Sequence, residues 1–233
     1  MMKYIAWDFD GTLVDSRPLI RAGMTHALET LGLPESVAID WLACVGLPVE
    51  EGIIKTFTPL GLKVEDVVKA YRSYPYAENL HLIHPFEGIH SLLNELQSEK
   101  IRMSLATSKR RIPLERELKR FGWESFFDIY VTPDDVTFTK PHPESLHQIN
   151  NYFGCTPDEI VMIGDTVYDL QMAHQASVPS IAVTYGFHSR ELLSQERPLA
   201  TVNTVEDLCD VLRAYVLQTL PFQPRRQTSN GGY

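Results

Sequence analysis

Asp8 and Asp10 are the first residues of this chain with the makings of chemistry: they close the apolar run Tyr4-Ile5-Ala6-Trp7 and lead into Gly11-Thr12-Leu13-Val14-Asp15. The run reads as a buried strand that stops at Asp8. Strand alternation then puts Asp8 and Asp10 on one side of the chain with Phe9 turned the other way, so two carboxylates aim at one point and ask for a cation. Gly11 allows the sharp turn and the close backbone approach to a ligand that a Cβ would obstruct. Asp and Gly are also ordinary turn formers, so this motif decides nothing by itself.

Further clusters fall at the ends of other apolar runs. Thr107-Ser108-Lys109 follows Met103-Ser104-Leu105-Ala106; a hydroxyl and free backbone amides where a strand gives way to a helix suit a phosphoryl oxygen. Lys140 stands beside Pro141 and Pro143, which fix the backbone and hold its ammonium as a point charge for a phosphate. His142 between the prolines reads as a helix-entry or solvent-side residue rather than a catalyst. Asp165 ends the run Ile160-Val161-Met162-Ile163-Gly164, and Asp169 shares its face one helical turn later. Oxygen ligands supplied sparingly, with water and substrate phosphate completing the shell, suit Mg²⁺. Taken singly, each cluster reads as a helix cap or a solvated charge. Taken together they are complementary, with carboxylates for a metal and a hydroxyl and a lysine for phosphate.

The elements that must bring these residues together follow from periodicity. From Pro18 to about Tyr76 the pattern is helical, broken at Gly32-Leu33-Pro34, Gly46-Leu47-Pro48 and Thr58-Pro59-Leu60-Gly61, with no convincing strand. Beyond Gly88, helical stretches at about 89–99, 113–121, 143–153 and 167–175 alternate with strands at 103–106, 129–131, 160–163 and 180–183. Such alternation implies right-handed crossovers and a parallel α/β sheet with helices on both faces, and ligands bind such sheets beyond the carboxyl ends of the strands. The expected organisation is an α/β core from residues 1–15 and 86–220, an inserted all-helical cap over 16–85, and a poorly ordered tail over 221–233.

With 233 residues, 44% of them hydrophobic and 22% charged, the chain has the composition of a soluble globular protein. A net charge of -9 disfavours nonspecific attraction to nucleic acid or an anionic membrane, so an anionic substrate must be drawn by local charge. Cys44, Cys155 and Cys209 are odd in number and widely spread, which suggests neither a disulfide framework nor a zinc site and fits a reducing cytosol. No signal-peptide core develops before the Asp8 strand and no apolar run of membrane-spanning length occurs, so a cytoplasmic protein is expected. Monomer and homodimer both stay open.

Asp8-Phe9-Asp10-Gly11-Thr12, Thr107-Ser108, Lys140-Pro141 and Gly164-Asp165-Thr166 with Asp169 resemble the four motifs of the haloacid dehalogenase superfamily. The resemblance spans Tyr4 to about Leu217, with the spacing of members that carry a helical cap between the first and second motifs, and is strongest to phosphoglycolate phosphatase-like enzymes. It implies a Rossmann-like core and a Mg²⁺-dependent phosphatase acting on a small phosphorylated metabolite through an aspartyl-phosphate. In that reading Asp8 is the nucleophile and Asp10 the general acid and base; Asp8, Asp165 and the Asp10 backbone carbonyl hold Mg²⁺, and Asp169 acts through water or by orienting Lys140. Thr107, Lys140 and the Ser108 and Gly11 amides bind the phosphoryl oxygens. Arg17 and the loop containing Gly46 and Leu47 are candidates for substrate selection, and Lys109, Arg110 and Arg111 for recruiting anions.

The resemblance also sorts chemistries. Dehalogenases of the superfamily lack the acid at the Asp10 position, the mutases carry a cap histidine where this chain has Pro18-Leu19-Ile20, and the phosphonate hydrolases use a cap lysine that Cys44-Val45-Gly46-Leu47-Pro48 does not offer. Hydrolysis of a phosphomonoester leads; inorganic pyrophosphate and nucleoside monophosphates are the alternative substrates, and a binding protein without turnover is the remaining reading.

Overall fold

The computed structural model describes residues 2–217. The expected tail over 221–233 and the last three residues of the expected core lie outside them. Strand β1 (Tyr4–Trp7) enters the molecule first, followed by the short β2 (Val14–Asp15). Four helices come next: α1 (Arg17–Leu31), α2 (Val37–Leu42), α3 (Val49–Phe57) and α4 (Val64–Arg72). Strand β3 (His84–Pro85) returns the chain, and then helices and strands alternate: α5 (Ile89–Ser98), β4 (Arg102–Ala106), α6 (Arg111–Phe121), β5 (Ile129–Val131) and α7 (Glu144–Phe153). The remainder is β6 (Ile160–Gly164), α8 (Val167–Gln175), β7 (Ser180–Val183), α9 (Arg190–Gln195), β8 (Ala200–Val202) and α10 (Val205–Leu212).

Six strands form one parallel sheet in the order β5-β4-β1-β6-β7-β8. β1 lies between β4 and β6, with Trp7 level with Leu105 and Ile163, so the residues after each of these strands emerge at the same edge. Alternation along the strands splits the apolar side chains between two layers. Ile5, Trp7, Leu105 and Ile163 pack with α5, α6 and α10 on one face; Ala6, Ala106 and Met162 pack with α7 and α8 on the other. Helices therefore cover both faces, as the alternation of elements requires.

The segment between β2 and β3 contains no strand of the main sheet and has an apolar cluster of its own, in which Trp41 meets Phe57 edge-on at 4.9 Å and Met24, Ile53 and Val67 are buried. Its two ends are drawn together by the antiparallel pair β2–β3, with Val14 opposite Pro85 and Asp15 opposite His84. Two-residue strands carry no periodicity, which is why this clasp is invisible in the sequence. β8, which pairs with β7 at the far edge of the sheet, is a further strand that the alternation at 89–183 does not reach.

Candidate active site

Every cluster singled out from the sequence sits at the carboxyl edge of the sheet, but the side chains do not pair as strand alternation suggested. Asp8 follows β1 and its Oδ1 accepts a hydrogen bond from Lys140 Nζ at 2.6 Å. The same ammonium donates to Asp169 Oδ1 at 2.5 Å. Asp165, just beyond β6, joins Asp8 and Asp169 so that one carboxylate oxygen from each lies within 4.8 Å of the others, and all three are buried. Asp10 is not a member of this group, which corrects the reading of the two N-terminal carboxylates as one cation site. Alternation ends where the strand does: Asp10 bridges to Val14 in the turn after β1, and its carboxylate receives both of its hydrogen bonds from Lys109 Nζ, at 3.1 Å each.

Each acidic side chain is held from behind. Asp169 Oδ2 accepts from the Thr166 amide and hydroxyl at 3.0 and 2.7 Å, closing a capping box at the start of α8. With Oδ1 on Lys140, both Asp169 oxygens are engaged, which fits a residue that positions the lysine. Asp165 accepts from the Thr12 hydroxyl at 3.0 Å and from the Phe187 amide at 2.7 Å. The Tyr185-Gly186-Phe187 turn carries no acidic or phosphate-binding motif in the sequence, but it follows β7 at the same edge, where ligands gather beyond strand ends.

Burial and charge act in opposition here. Burial raises the Asp8 carboxyl from its ordinary 3.8 to about 7, because desolvation and the Asp169 charge outweigh the Lys140 ammonium. Asp165 is pushed well above the usual carboxylate range by burial and by the Asp8 and Asp169 charges. For Lys140, burial favours loss of the proton, but the carboxylates of Asp169 and Asp8 prevail and hold the ammonium form more firmly than usual. Fully ionised, the three carboxylates set against one ammonium carry two negative charges that nothing in the cluster balances; burial and this imbalance are why Asp8 and Asp165 hold their protons above the usual range. An all-oxygen donor set with that deficit fits a hard divalent cation, and Asp8 and Asp165 have the lone pairs to hold it.

The remaining expected residues are distributed as follows. The Thr107 hydroxyl accepts the Lys109 amide at 3.1 Å, and Ser108 Oγ donates to the Gly46 carbonyl at 2.6 Å, tying β4's end to the helical segment. Gly46 has φ +105°, and a Cβ there would overlap the Thr166 side chain. Leu47 and Gly46 line a cavity with Asp8, Asp10, Thr107 and Ser108. Arg17 does not: its guanidinium is clamped on Asp15 at 2.7–2.8 Å and reaches the Gly186 carbonyl at 3.4 Å, so it braces the base of the helical segment. Arg111 is likewise taken, by Asp135 at 2.6 Å, whereas Lys109 and Arg110 line the cavity. His142 is exposed and accepts the Glu144 amide at 3.3 Å, as a helix-entry residue does.

Gly11 has a different part from the one its motif suggested. Its amide donates to the Val14 carbonyl at 2.8 Å and so closes the turn instead of facing a phosphoryl oxygen. With φ +91° and Asp165 and Phe187 against its α-carbon, it has no room for a side chain. Gly11→Ala is therefore expected to destabilise the fold by about 1–3 kcal/mol through backbone strain alone, and to lower kcat/KM at least about tenfold by displacing Asp165. Urea unfolding and initial rates measured on one preparation check both effects; a variant with native stability and rate contradicts the packing described.

Comparison with known proteins agrees with this fold. The family model for haloacid dehalogenase-like hydrolases matches residues 5–183. Pyrophosphatase PpaX from Halalkalibacterium halodurans is 30% identical over 208 residues, covering 89% of this chain and 95% of that protein. Among solved structures, a haloacid dehalogenase-like family hydrolase from Streptococcus pneumoniae superposes with a TM-score of 0.77 at 25% identity, over 91% of this chain and 98% of that one. A predicted phosphatase from Clostridium acetobutylicum superposes with a TM-score of 0.79 at 26% identity, over 92% and 99%.

Proposed function

Because the chain belongs to the haloacid dehalogenase-like hydrolase family, we propose that it is a Mg²⁺-dependent phosphatase of small phosphomonoesters that works through an aspartyl-phosphate on Asp8. The observation that carries this reading is Lys140 Nζ, 2.6 Å from Asp8 Oδ1 and 2.5 Å from Asp169 Oδ1, beside the buried Asp165. A fixed ammonium next to an acceptor oxygen is what a nucleophile needs if it must approach an anion.

Asp8 Oδ attacks phosphorus, and the bond from phosphorus to the leaving-group oxygen breaks as Asp10 gives that oxygen a proton. Asp10 then takes a proton from the water that attacks the aspartyl-phosphate, which releases phosphate and restores the Asp8 carboxylate. Thr107, the Ser108 amide and Lys140 neutralise charge on the phosphoryl oxygens, while Asp169 keeps Lys140 in place. Asp8 and Asp165, with the Asp10 backbone carbonyl, would hold Mg²⁺, which would screen the repulsion between the Asp8 carboxylate and the anionic substrate. Lys109 holds Asp10 in the structure, so it must release a carboxylate oxygen before Asp10 can reach a leaving group.

Residues 16–85 act as the cap that closes over the metal site, excluding water and selecting substrate, on the core of 1–15 and 86–220. Among the described residues no helix is long and apolar enough to cross a membrane, and a cytoplasmic enzyme of small metabolites, monomer or homodimer, fits the composition. Inorganic pyrophosphate is the second reading, favoured by the relative named pyrophosphatase PpaX. Phosphate release measured with Mg²⁺ and with EDTA tests the proposal: activity is expected only with the metal, and equal rates in EDTA overturn it.

The carboxylate cluster adds a pH signature. With Asp8 raised from 3.8 to about 7, the folded state prefers its protonated form, so this group's contribution is complete below about pH 4 and is lost as pH rises through 7. Metal requires the ionised carboxylate, so the stabilisation by Mg²⁺ must grow over the same window. At saturating MgCl₂ the rise in Tm is expected to be about 5 °C or more larger at pH 8 than at pH 5, by thermal melts. Equal rises at both pH values contradict metal binding at this cluster.

A further inference from the structure

The cavity between the helical segment and the sheet edge has a volume of about 700 Å³, and its walls divide by chemistry. One end is polar, with Asp8, Asp10, Thr107 and Ser108. Elsewhere the lining includes Leu19, Met24, Trp41, Tyr71 and Ile83, each less than a tenth exposed. That volume is ample for an organic ligand, and this wall, with hydroxyls on Tyr71, Tyr76 and Ser16 but no charged side chain among Leu19, Met24, Trp41, Tyr71 and Ile83, suits an apolar body with polar handles better than a second phosphate, whose charge needs cations. Most cations that line the cavity are engaged: Lys109 by Asp10 and Glu117, and Arg72 and Arg110 by Glu50. Arg116 also lines it but is exposed to solvent.

Glu117, on α6, supplies the second observation. It lines the cavity with its side chain only 2% exposed; Oε1 is 3.3 Å from Lys109 Nζ, and Oε2 is buried with no hydrogen-bond partner. Buried acceptors are nearly always paired, so an orphaned one in a ligand cavity asks for a donor on the ligand. Lys109 bridges Asp10 and Glu117, so that donor belongs close to the leaving-group oxygen that Asp10 serves.

Resting on the phosphatase reading above, we propose that the leaving group is organic, with an apolar body lying against Leu19, Met24, Trp41 and Tyr71 and a hydroxyl or amino donor for Glu117 Oε2. The substrate class is then the phosphomonoester of an apolar or aromatic alcohol with a neighbouring donor, not pyrophosphate and not phosphoglycolate.

The test measures dissociation constants on the Asp8→Asn chain with Mg²⁺ for phenyl phosphate, 2-hydroxymethylphenyl phosphate, 2-phosphoglycolate and inorganic pyrophosphate. Both aryl esters are expected to bind about tenfold or more tightly than the two small anions, and the hydroxymethyl ester about fivefold more tightly than phenyl phosphate. Adding Glu117→Leu is expected to erase that fivefold gap. Phosphoglycolate or pyrophosphate binding as tightly as the aryl esters overturns the inference, and a gap that persists without Glu117 overturns the role given to its carboxylate. Phosphate release by the unaltered chain from any of the four tests the hydrolase reading separately, so either can fail while the other stands.

Discussion

Asp8→Asn is expected to abolish phosphatase turnover, by about 10⁴-fold or more, while leaving the fold intact. The amide keeps the shape of the carboxylate and can still accept from Lys140, but it cannot form an acyl phosphate that turns over. The stability expectation is specific. Because burial raises Asp8 to about 7, the ionised side chain is unfavourable in the metal-free protein above that pH, and replacing it with a neutral group relieves the cost. At pH 8 in EDTA the variant should melt no lower than the unaltered chain. Loss of activity accompanied by a collapse in Tm would mean that Asp8 is a structural residue.

Lys140→Met has the opposite profile. The side chain is 2% exposed and its ammonium is the shared partner of Asp8 and Asp169, so an apolar chain of similar length leaves both carboxylates buried without their counter-charge. Removing one member of a buried ion pair costs about 3–5 kcal/mol, equivalent to a fall in Tm of roughly 6–20 °C in a protein of this size. Activity should fall about 10²–10³-fold even where the protein remains folded, because Lys140 is the ammonium fixed on Asp8 and Lys109 is held on Asp10 instead. Thermal melts and initial rates at 20 °C separate the two effects. Native stability with native rates contradicts the placement of Lys140.

Much of this site is legible in the sequence. Asp8, Thr107, Lys140 and Asp165 each follow an apolar run, and a parallel sheet has one edge at which such residues can meet; period and chain order were sufficient. What could not be read is where a side chain turns once its strand has ended. Asp10 and Gly11 lie in a turn whose hydrogen bonds run to Val14, so the first carboxylate swings to Lys109 and the glycine amide is consumed inside the loop. Arg17 looked like a ligand contact because it is a charge beside the first motif; Asp15, two residues earlier, takes it instead. Glu117 carries no signal at all in the sequence, since its neighbours in Arg111–Phe121 make it one more acid on an amphipathic helix, and only the packing of α6 under Lys109 makes it distinctive.

The decisive measurement is on the covalent step. The chain is mixed with substrate and Mg²⁺, quenched in acid within the first turnovers, and digested for mass spectrometry. The peptide containing Tyr4–Asp15 is expected to gain about 80 Da, the mass of one phosphoryl group, and fragmentation should place the increment on Asp8. Turnover with no adduct on Asp8, or with the phosphoryl group on another side chain, would show that the carboxylate beside Lys140 is not the nucleophile.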